Sequence, residues 1–288
     1  MNAQSKGRVG LIGMGIMGSA YAANLLKAGF ELHGADPSPE ARDAAAARGA
    51  QTFDAPGPWL AQCDAVIVSL SSPAVLQQVG AALAGLLGPG QIVIETGTFA
   101  LADKMALHDL LSASGITLLD CPVSGTGTQA MAGDLVMMAS GEDAALDKVM
   151  PVLNGFTRRV IKVGPFGTGI RMKLVANHAV AIHNAAAAET LAYADALELP
   201  REAVYDLLSS GAGQSRMSDL RMPLMITGHY APASATLRMF EKDLDLIETD
   251  LARRNRAAPL FAQTRALYTR ALAELPEDYD TAAVFEVL

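Results

Sequence analysis

Cysteine, aromatic side chains, clustered positive charge and long apolar runs are all scarce in this sequence of 288 residues. Its two cysteines, Cys63 and Cys121, are too few for a disulfide framework, which indicates a reducing compartment and hence a cytoplasmic protein. No stretch is long and apolar enough to predict a membrane span. The formal net charge of -8, without any basic run, argues against a nucleic-acid or anionic-membrane partner because phosphate groups would be repelled.

The composition that remains is that of a globular protein, with 51% hydrophobic and 18% charged residues. In the first half, short β-rich runs alternate with helical segments: RVGLIG, FELHGAD, DAVIVSL, QIVIETG, ITLLDCPV, DLVMMAS and RRVIKVG. Such alternation predicts a doubly wound, mainly parallel sheet. From about Gly167 helical periodicity continues to the C-terminus. The sequence therefore predicts an α/β fold, with a Rossmann-type domain over residues 1–166 and an all-helical domain over 167–288.

A glycine-rich turn follows the first predicted strand, in GLIGMGIMGSAYAANLLKAG. Gly13, Gly15 and Gly18 form the pattern G-x-G-x-x-G, which provides a tight turn, close approach of a pyrophosphate and packing of the next helix. The pattern is weak by itself, but here a strand precedes it, a helix follows it, and a second strand ends at Asp36. The predicted dinucleotide-binding turn comprises Gly13, Met14, Gly15, Ile16, Met17 and Gly18.

Asp36 predicts which dinucleotide is bound. Its carboxylate can accept hydrogen bonds from ribose hydroxyls, whereas a 2′-phosphate would meet like charge, so NAD is favoured over NADP. The alternative is that Asp36 only opens the helix that follows in DPSPE, although a cap at Ser38 would leave it available to the ribose. Arg42, the nearest basic residue downstream, is the feature that favours NADP.

The segment GPFGTGIRMKLVANHA places Lys173 and Asn177 four residues apart, on one stripe of a predicted helix. An amine there can act as general acid and base, while the amide bonds a substrate oxygen without titrating. The helix is expected to begin near Gly167 or Thr168, so its dipole and the neighbouring Arg171 both disfavour a charged amine. On these residues alone, a surface lysine beside an incidental amide stays open.

Four blocks, in order, resemble the β-hydroxyacid dehydrogenases, the family that includes 3-hydroxyisobutyrate dehydrogenase, tartronate semialdehyde reductase and sulfolactaldehyde reductase. The blocks are GLIGMGIMGSAYAANLLKAG, DCPVSGTGTQAMAGDL, GTGIRMKLVANH and FEKDLDLI, and they cover essentially the whole chain. The resemblance implies an NAD-dependent oxidoreductase that interconverts a small β-hydroxy acid and its aldehyde or keto acid. It also implies a homodimer or homotetramer formed through the long alanine-rich helix.

The resemblance further implies roles for individual residues. Lys173 would be the acid/base catalyst and Asn177 a substrate-binding residue, beside a substrate-binding segment of Ser124, Gly125 and Thr126. The residues that it places beside the cofactor are Leu70, Ser71, Thr98 and Lys242. Without the resemblance, the turn after Val123 either offers backbone N–H groups to a carboxylate or simply starts a capped helix.

Two departures from the family pattern bear on the substrate more than on the reaction. Thr126 stands where a second glycine is common, and Gly97 and Thr98 stand where serine and threonine are common. Alternative functions are an NADP-dependent imine reductase or sugar-acid dehydrogenase of the same fold, and a non-catalytic dinucleotide-binding protein. His178 and His183, five residues apart, do not share a helical face, so no metal site is predicted.

Overall fold

The computed structural model describes residues 5–288 and divides into two compact units, one ending at Lys173 and one running from Leu174 to Leu288. The strands are β1 (Arg8–Ile12), β2 (Glu31–Ala35), β3 (Gln51–Phe53), β4 (Ala65–Val68), β5 (Ile92–Glu95), β6 (Thr117–Asp120), β7 (Val123–Ser124), β8 (Val136–Ser140) and β9 (Arg159–Gly164). The helices among them are α1 (Ile16–Lys27), α2 (Pro39–Ala46), α3 (Pro73–Leu86), α4 (Leu101–Ser112), α5 (Gly127–Met131) and α6 (Asp143–Leu153), with a 3-10 helix at Pro58–Gln62.

The strands form one sheet in the order β3-β2-β1-β4-β5-β6-β8-β7, with β9 paired to β8. Neighbours from β3 to β6 are parallel, whereas β8 runs antiparallel to β6 and to β7. The chain order reverses between β1 and β4, which is where open α/β sheets bind ligands at the carboxyl ends of their strands. The predicted α/β fold is confirmed, and each predicted strand is present. The short strands β3 and β7 were not predicted.

Successive residues of the central strands pack into different apolar clusters. Ala65 and Ile67 of β4 belong to one cluster, and Val66 and Val68 belong to another. Because side chains alternate along a strand, the two clusters lie on opposite faces of the sheet. Side chains of α1 and α6 complete the first cluster, and those of α3 and α4 complete the second. Burial on both faces explains the continuous runs of valine and isoleucine.

The second unit is helical. Its elements are α7 (Thr168–Ala196), which begins before the division, then α8 (Arg201–Ser210), α9 (Arg216–Thr227), α10 (Leu237–Arg253), α11 (Pro259–Glu274) and a 3-10 helix at Thr281–Val287. Its core includes Leu191, Met222, Leu244 and Tyr268. Residues 165–288 contain no β-strand, which confirms the predicted helical C-terminal region. Within the described chain, no helix has the length and apolar character needed to cross a bilayer.

Candidate active site

The glycine turn joins β1 to α1, and two of its glycines are required by sterics. Gly13 has a φ of 89°, and a Cβ there would lie 2.1 Å from the carbonyl oxygen of Ser69. A Cβ on Gly18 would lie 1.9 Å from the carbonyl oxygen of Gly13. In contrast, nothing lies within 4 Å of the corresponding position at Gly15. Gly13 and Gly18 therefore fold the turn, and Gly15 leaves open space at the amino end of α1, where unpaired N–H groups attract anions.

The other side chains of the turn differ in exposure. Met14 is 1% exposed and Ile16 is 61% exposed, while Met17 is partly buried against the core. Met14 can therefore offer a ligand only its backbone, whereas Ile16 can offer its side chain. Leu70, in the loop after β4, reaches the turn, because its Cδ2 lies 3.3 Å from the Cβ position of Gly13.

The loops after β4 and β5 lie at the same sheet edge as the turn, because β4 pairs in parallel with β1 and β5 pairs in parallel with β4. Ser71 is exposed in the first of these loops. In the second, Thr98 is half-buried. It follows Gly97, whose N–H donates to Oε1 of Glu95 at 2.6 Å. The predicted residues of both loops therefore lie at the sheet edge that carries the glycine turn.

The Asp36 carboxylate joins the ends of β1 and β2. Its Oδ2 accepts a hydrogen bond from the Met14 N–H at 2.6 Å, and its Oδ1 accepts one from the Ser38 N–H at 2.8 Å. Ser38 caps α2 as predicted, but that cap does not leave Asp36 unbonded. A carboxylate has about four lone-pair sites, so both oxygens can still accept from ribose hydroxyls. Arg42 donates from Nη1 to the backbone carbonyls of Asp36 and Pro37.

The predicted substrate segment runs from β7 into the short helix α5. Ser124 ends β7 and is half-buried. Gly125 has a φ of 139°, which favours glycine. Thr126 caps α5: its hydroxyl accepts from the Gln129 N–H, and its own N–H donates to Oε1 of Gln129 at 3.0 Å. The capping arrangement that the sequence left open is present at Thr126.

This substrate segment is a neighbour of the glycine turn. A Cβ on Gly127 would lie 2.7 Å from Cγ2 of Ile16. Farther along the two helices, Nδ2 of Asn24 donates to the carbonyl of Ala130 at 2.9 Å. The first unit therefore brings the predicted dinucleotide turn and the predicted anion-binding segment together at one edge of the sheet.

α7 begins at Thr168, as expected, directly after Gly167, which has a φ of 83°. The helix continues through Lys173 and Asn177. Since these two residues are four positions apart, they lie on one stripe of it. Lys173 is half-buried and Asn177 is 5% exposed. The structure thus places both residues on α7, and their roles stay a prediction.

Within the second unit, Asp243 orients the amide of Asn177. Nδ2 of Asn177 donates to Oδ2 of Asp243 at 2.7 Å, and Oδ1 of Asp243 lies 3.8 Å from Nζ of Lys242. The bond joins residues 66 positions apart in the sequence, so helical periodicity alone could not predict it. Because the amide nitrogen is held by Asp243, the amide oxygen of Asn177 points away from that carboxylate and can accept a hydrogen bond from a hydroxyl.

Among residues 5–288, no group of three or more His, Cys, Asp or Glu side chains is arranged to hold a metal ion. The ring of His178 stacks on Phe261 at a centroid distance of 5.1 Å. Cys63 and Cys121 are free and buried, and burial raises the pKa of the Cys63 thiol to about 11. The polar side chains described at the predicted positions are therefore carboxylate, hydroxyl, amide and amine groups.

Known proteins resemble the chain along its length. Residues 8–164 match a family described as the NAD binding domain of 6-phosphogluconate dehydrogenase, and residues 167–288 match one described as NAD-binding of NADP-dependent 3-hydroxyisobutyrate dehydrogenase. An L-threonate dehydrogenase of Pectobacterium atrosepticum is 34% identical over 85% of this chain and 82% of its own. The crystal structure of 3-hydroxyisobutyrate dehydrogenase from Salmonella typhimurium has a TM-score of 0.89 and 30% identity, covering 98% of this chain and 100% of that one. The Mycobacterium tuberculosis 3-hydroxyisobutyrate dehydrogenase solved with L-serine has a TM-score of 0.88 and 27% identity, with 98% of each chain covered.

Proposed function

The chain belongs to the β-hydroxyacid dehydrogenase family, and we propose that it interconverts a small β-hydroxy acid and its aldehyde or keto acid, with NAD preferred. It is an NAD(P)-dependent dehydrogenase of hydroxy acids. The observation that carries the proposal is the glycine turn at the end of β1, where the sheet order reverses and Asp36 bonds the turn. We assign NAD binding to residues 1–166, and substrate binding and dimerisation to residues 167–288.

The open space at Gly15 is suited to a nicotinamide dinucleotide, because its pyrophosphate needs close approach to the amino end of α1. Asp36 would accept hydrogen bonds from the adenosine ribose. When bound, the cofactor supplies the hydride-transfer chemistry. The residues proposed to hold it are Gly13, Met14, Gly15, Ile16, Met17, Gly18, Asp36, Leu70, Ser71, Thr98 and Lys242.

Lys173 is proposed as the general acid and base. During oxidation its amine takes the proton of the substrate hydroxyl, and during reduction it returns that proton to the oxygen. Asn177 would bind a substrate hydroxyl through the amide oxygen that Asp243 directs away from itself. The side chain of Asn177 does not titrate, so it positions the substrate without competing for the proton.

The segment Ser124, Gly125 and Thr126 is proposed to bind the substrate carboxylate. We expect Ser124→Leu to raise KM for the acid roughly 10–100-fold, the loss that corresponds to a hydrogen bond with a charged group. The dissociation constant of NADH, measured by fluorescence titration, should hardly change. The control is Ser112→Leu at the exposed end of α4. An equal loss of NADH affinity in Ser124→Leu would mark the segment as structural.

Asp36 is proposed to select NAD. We expect the wild-type protein to have a higher kcat/KM with NAD than with NADP, and Asp36→Ala to narrow that ratio roughly 10–100-fold, because ribose hydrogen bonds and repulsion of the 2′-phosphate are both lost. Steady-state kinetics with the two cofactors measure the ratio. A wild-type preference for NADP would contradict the assignment.

Arg42 allows a second variant that tests the same cofactor preference. In the structure it donates to the Asp36 and Pro37 carbonyls, and a swing of its guanidinium could reach a 2′-phosphate. If Arg42 contributes to the use of NADP in Asp36→Ala, the double variant Asp36→Ala/Arg42→Ala should lose part of the gained NADP activity while its NAD activity stays the same.

The function is tested by following NADH formation with a panel of acids and with both cofactors. L-threonate is the first acid to test, because a relative at 34% identity is an L-threonate dehydrogenase. The other acids are 3-hydroxyisobutyrate, L-serine, glycerate and 3-hydroxypropionate. A single methylene changes preference by only ~1–3 kcal/mol, so the ranking of kcat/KM identifies the substrate better than one assay. Lack of turnover with every acid would contradict the proposed function.

We also propose a cytoplasmic homodimer or homotetramer formed through α7. Val175 and Tyr193 on this helix are each 66% exposed, and large exposed apolar side chains favour association. The two free, buried cysteines are compatible with a reducing compartment. Light scattering coupled to size-exclusion chromatography distinguishes a monomer, a dimer and a tetramer by mass.

A further inference from the structure

Two carboxylates and an amine are buried together at the carboxyl ends of β5 and β6. Nζ of Lys104, from α4, lies 2.5 Å from Oε2 of Glu95 and 2.6 Å from Oδ1 of Asp120, and all three side chains are at most 1% exposed. Glu95 and Asp120 are partners in the strand register, so their charges would repel each other without the lysine. Burial raises the pKa of Glu95, although the nearby Lys104 opposes this shift. The other carboxylate oxygen of Glu95, Oε1, accepts a hydrogen bond from the Gly97 N–H.

This network extends to the first turn of α7. Oδ2 of Asp120 accepts a hydrogen bond from the Ile170 N–H at 2.8 Å, and Oγ of Ser140 accepts one from the Gly169 N–H at 2.9 Å. The Ser140 hydroxyl in turn donates to the Asp120 carbonyl oxygen at 3.0 Å. We name Glu95, Lys104, Asp120 and Ser140 the strand-end clamp.

The clamp does more than satisfy the unpaired N–H groups of a helix start. α3, α9 and α10 are capped by their own Ser72, Ser215 and Thr236. α7 instead uses acceptors that lie 29 and 50 residues earlier in the sequence. A Cβ on Gly169 would lie 2.5 Å from the Asp120 carbonyl oxygen, so the helix is pressed against the strand end. The contacts fix where α7 starts relative to the sheet.

Stability alone is a poor explanation for such a cluster. Burial of charged groups carries a desolvation cost, and apolar residues of similar volume often stabilise a fold as well as a buried ion pair does. Charged hydrogen bonds, however, impose a geometry that apolar contacts do not. A role in positioning therefore accounts for the clamp better than a role in stability.

We propose that Asp120 and Ser140 are positioning residues for Lys173, an inference that rests on the acid/base role proposed above. The two clamped N–H groups belong to Gly169 and Ile170, which lie four and three positions before Lys173. All three residues therefore share one face of the helix. A misplacement of about 1 Å can reduce a reaction rate about 10²-fold. The clamp holds the first turn of α7, directly before the turn that carries Lys173.

The kinetic test uses Ser140→Ala and Asp120→Asn. Ser140→Ala removes the acceptor of one N–H. Asp120→Asn creates a conflict, because one side of the carboxyl group faces the amine of Lys104 and the other faces the N–H of Ile170, and an amide must turn its NH₂ toward one of them. We expect kcat to fall roughly 10-fold in Ser140→Ala and about 100-fold in Asp120→Asn. KM for the acid and the dissociation constant of NADH should change by less than about twofold, since the lost interactions act on the reaction step.

Hydrogen exchange followed by mass spectrometry gives a readout that is independent of turnover. The amides at the start of α7 should exchange roughly 5–10-fold faster in Ser140→Ala, the change expected for one lost hydrogen bond. Two matched controls remove buried polar interactions elsewhere. Thr157→Val removes a buried hydroxyl that donates to the Leu153 carbonyl at 2.8 Å. Asp280→Asn weakens a buried ion pair with Arg221 at 2.8 Å. Both controls should keep the wild-type kcat and the wild-type rate of amide hydrogen exchange at the start of α7.

The proposal is overturned if Ser140→Ala exchanges faster at the start of α7 yet keeps the wild-type kcat. It is also overturned if the two controls lose as much kcat as the clamp variants, or if exchange at the start of α7 is unchanged in Ser140→Ala. If Asp120→Asn does not fold, the kcat and the hydrogen exchange of Ser140→Ala decide the proposal. Lack of turnover by the wild-type protein on the whole panel would refute the proposed function, while the exchange measurement would still decide whether the clamp holds the helix.

Discussion

Lys173→Ala is expected to lower kcat roughly 10²–10⁴-fold, the usual contribution of a positioned acid/base group, while NADH still binds. The loss arises because the substrate hydroxyl has no group to accept its proton when hydride leaves the same carbon. Asn177→Ala should cost less in kcat and more in KM, since the amide positions the substrate and transfers no proton. Single-turnover and steady-state kinetics on the acid that the panel identifies measure both effects.

Lys173→Arg separates proton transfer from charge. A guanidinium keeps the positive charge but does not release its proton in the working pH range, so we expect it to restore little of the activity lost in Lys173→Ala. Lys162→Ala is the matched control, because this lysine of β9 pairs with Asp147 of α6 at 2.6 Å and has no proposed role in the reaction. A folded Lys173→Ala variant with near wild-type kcat would falsify the acid/base assignment.

Gly18→Ala and Gly15→Ala alter the same turn but should affect different properties. We expect Gly18→Ala to lower the thermal stability and Gly15→Ala to weaken NADH binding. A Cβ on Gly18 would lie 1.9 Å from the Gly13 carbonyl oxygen, a backbone atom that cannot move aside as the end of a flexible side chain can. Overpacking of this kind costs typically 1–3 kcal/mol, so we expect a decrease in Tm of roughly 2–12 °C. Differential scanning calorimetry of the protein without ligand measures this decrease.

Gly15→Ala should lower Tm much less than Gly18→Ala, because nothing lies within 4 Å of the new Cβ and the φ of Gly15 is negative, at -66°. The added methyl group instead occupies the space through which a pyrophosphate approaches the helix end. We expect NADH to bind roughly 10–100-fold more weakly, as for the loss of a charge-assisted hydrogen bond. Wild-type NADH affinity in Gly15→Ala would place the dinucleotide elsewhere.

The glycine turn, the strands and the start of α7 could be predicted because local rules determine them. A left-handed φ at Gly13 requires glycine, and apolar runs bounded by turn residues predict buried strands wherever they lie in the chain. The stripe shared by Lys173 and Asn177 follows from helical periodicity alone. The short strands β3 and β7 escaped prediction because two or three residues carry too little periodicity to be distinguished from a loop.

The sequence by itself therefore determined the alternating α/β fold, the helical C-terminal region and the residue types available for catalysis. Only the tertiary structure decided what those residues contact. Asp36 bonds Met14 across 22 positions, Asp243 bonds Asn177 across 66, and Asp120 bonds Ile170 across 50. The physical reason is that helix and strand preferences act over a few neighbouring residues, whereas a hydrogen bond between residues distant in the sequence forms only where packing brings donor and acceptor within about 3 Å.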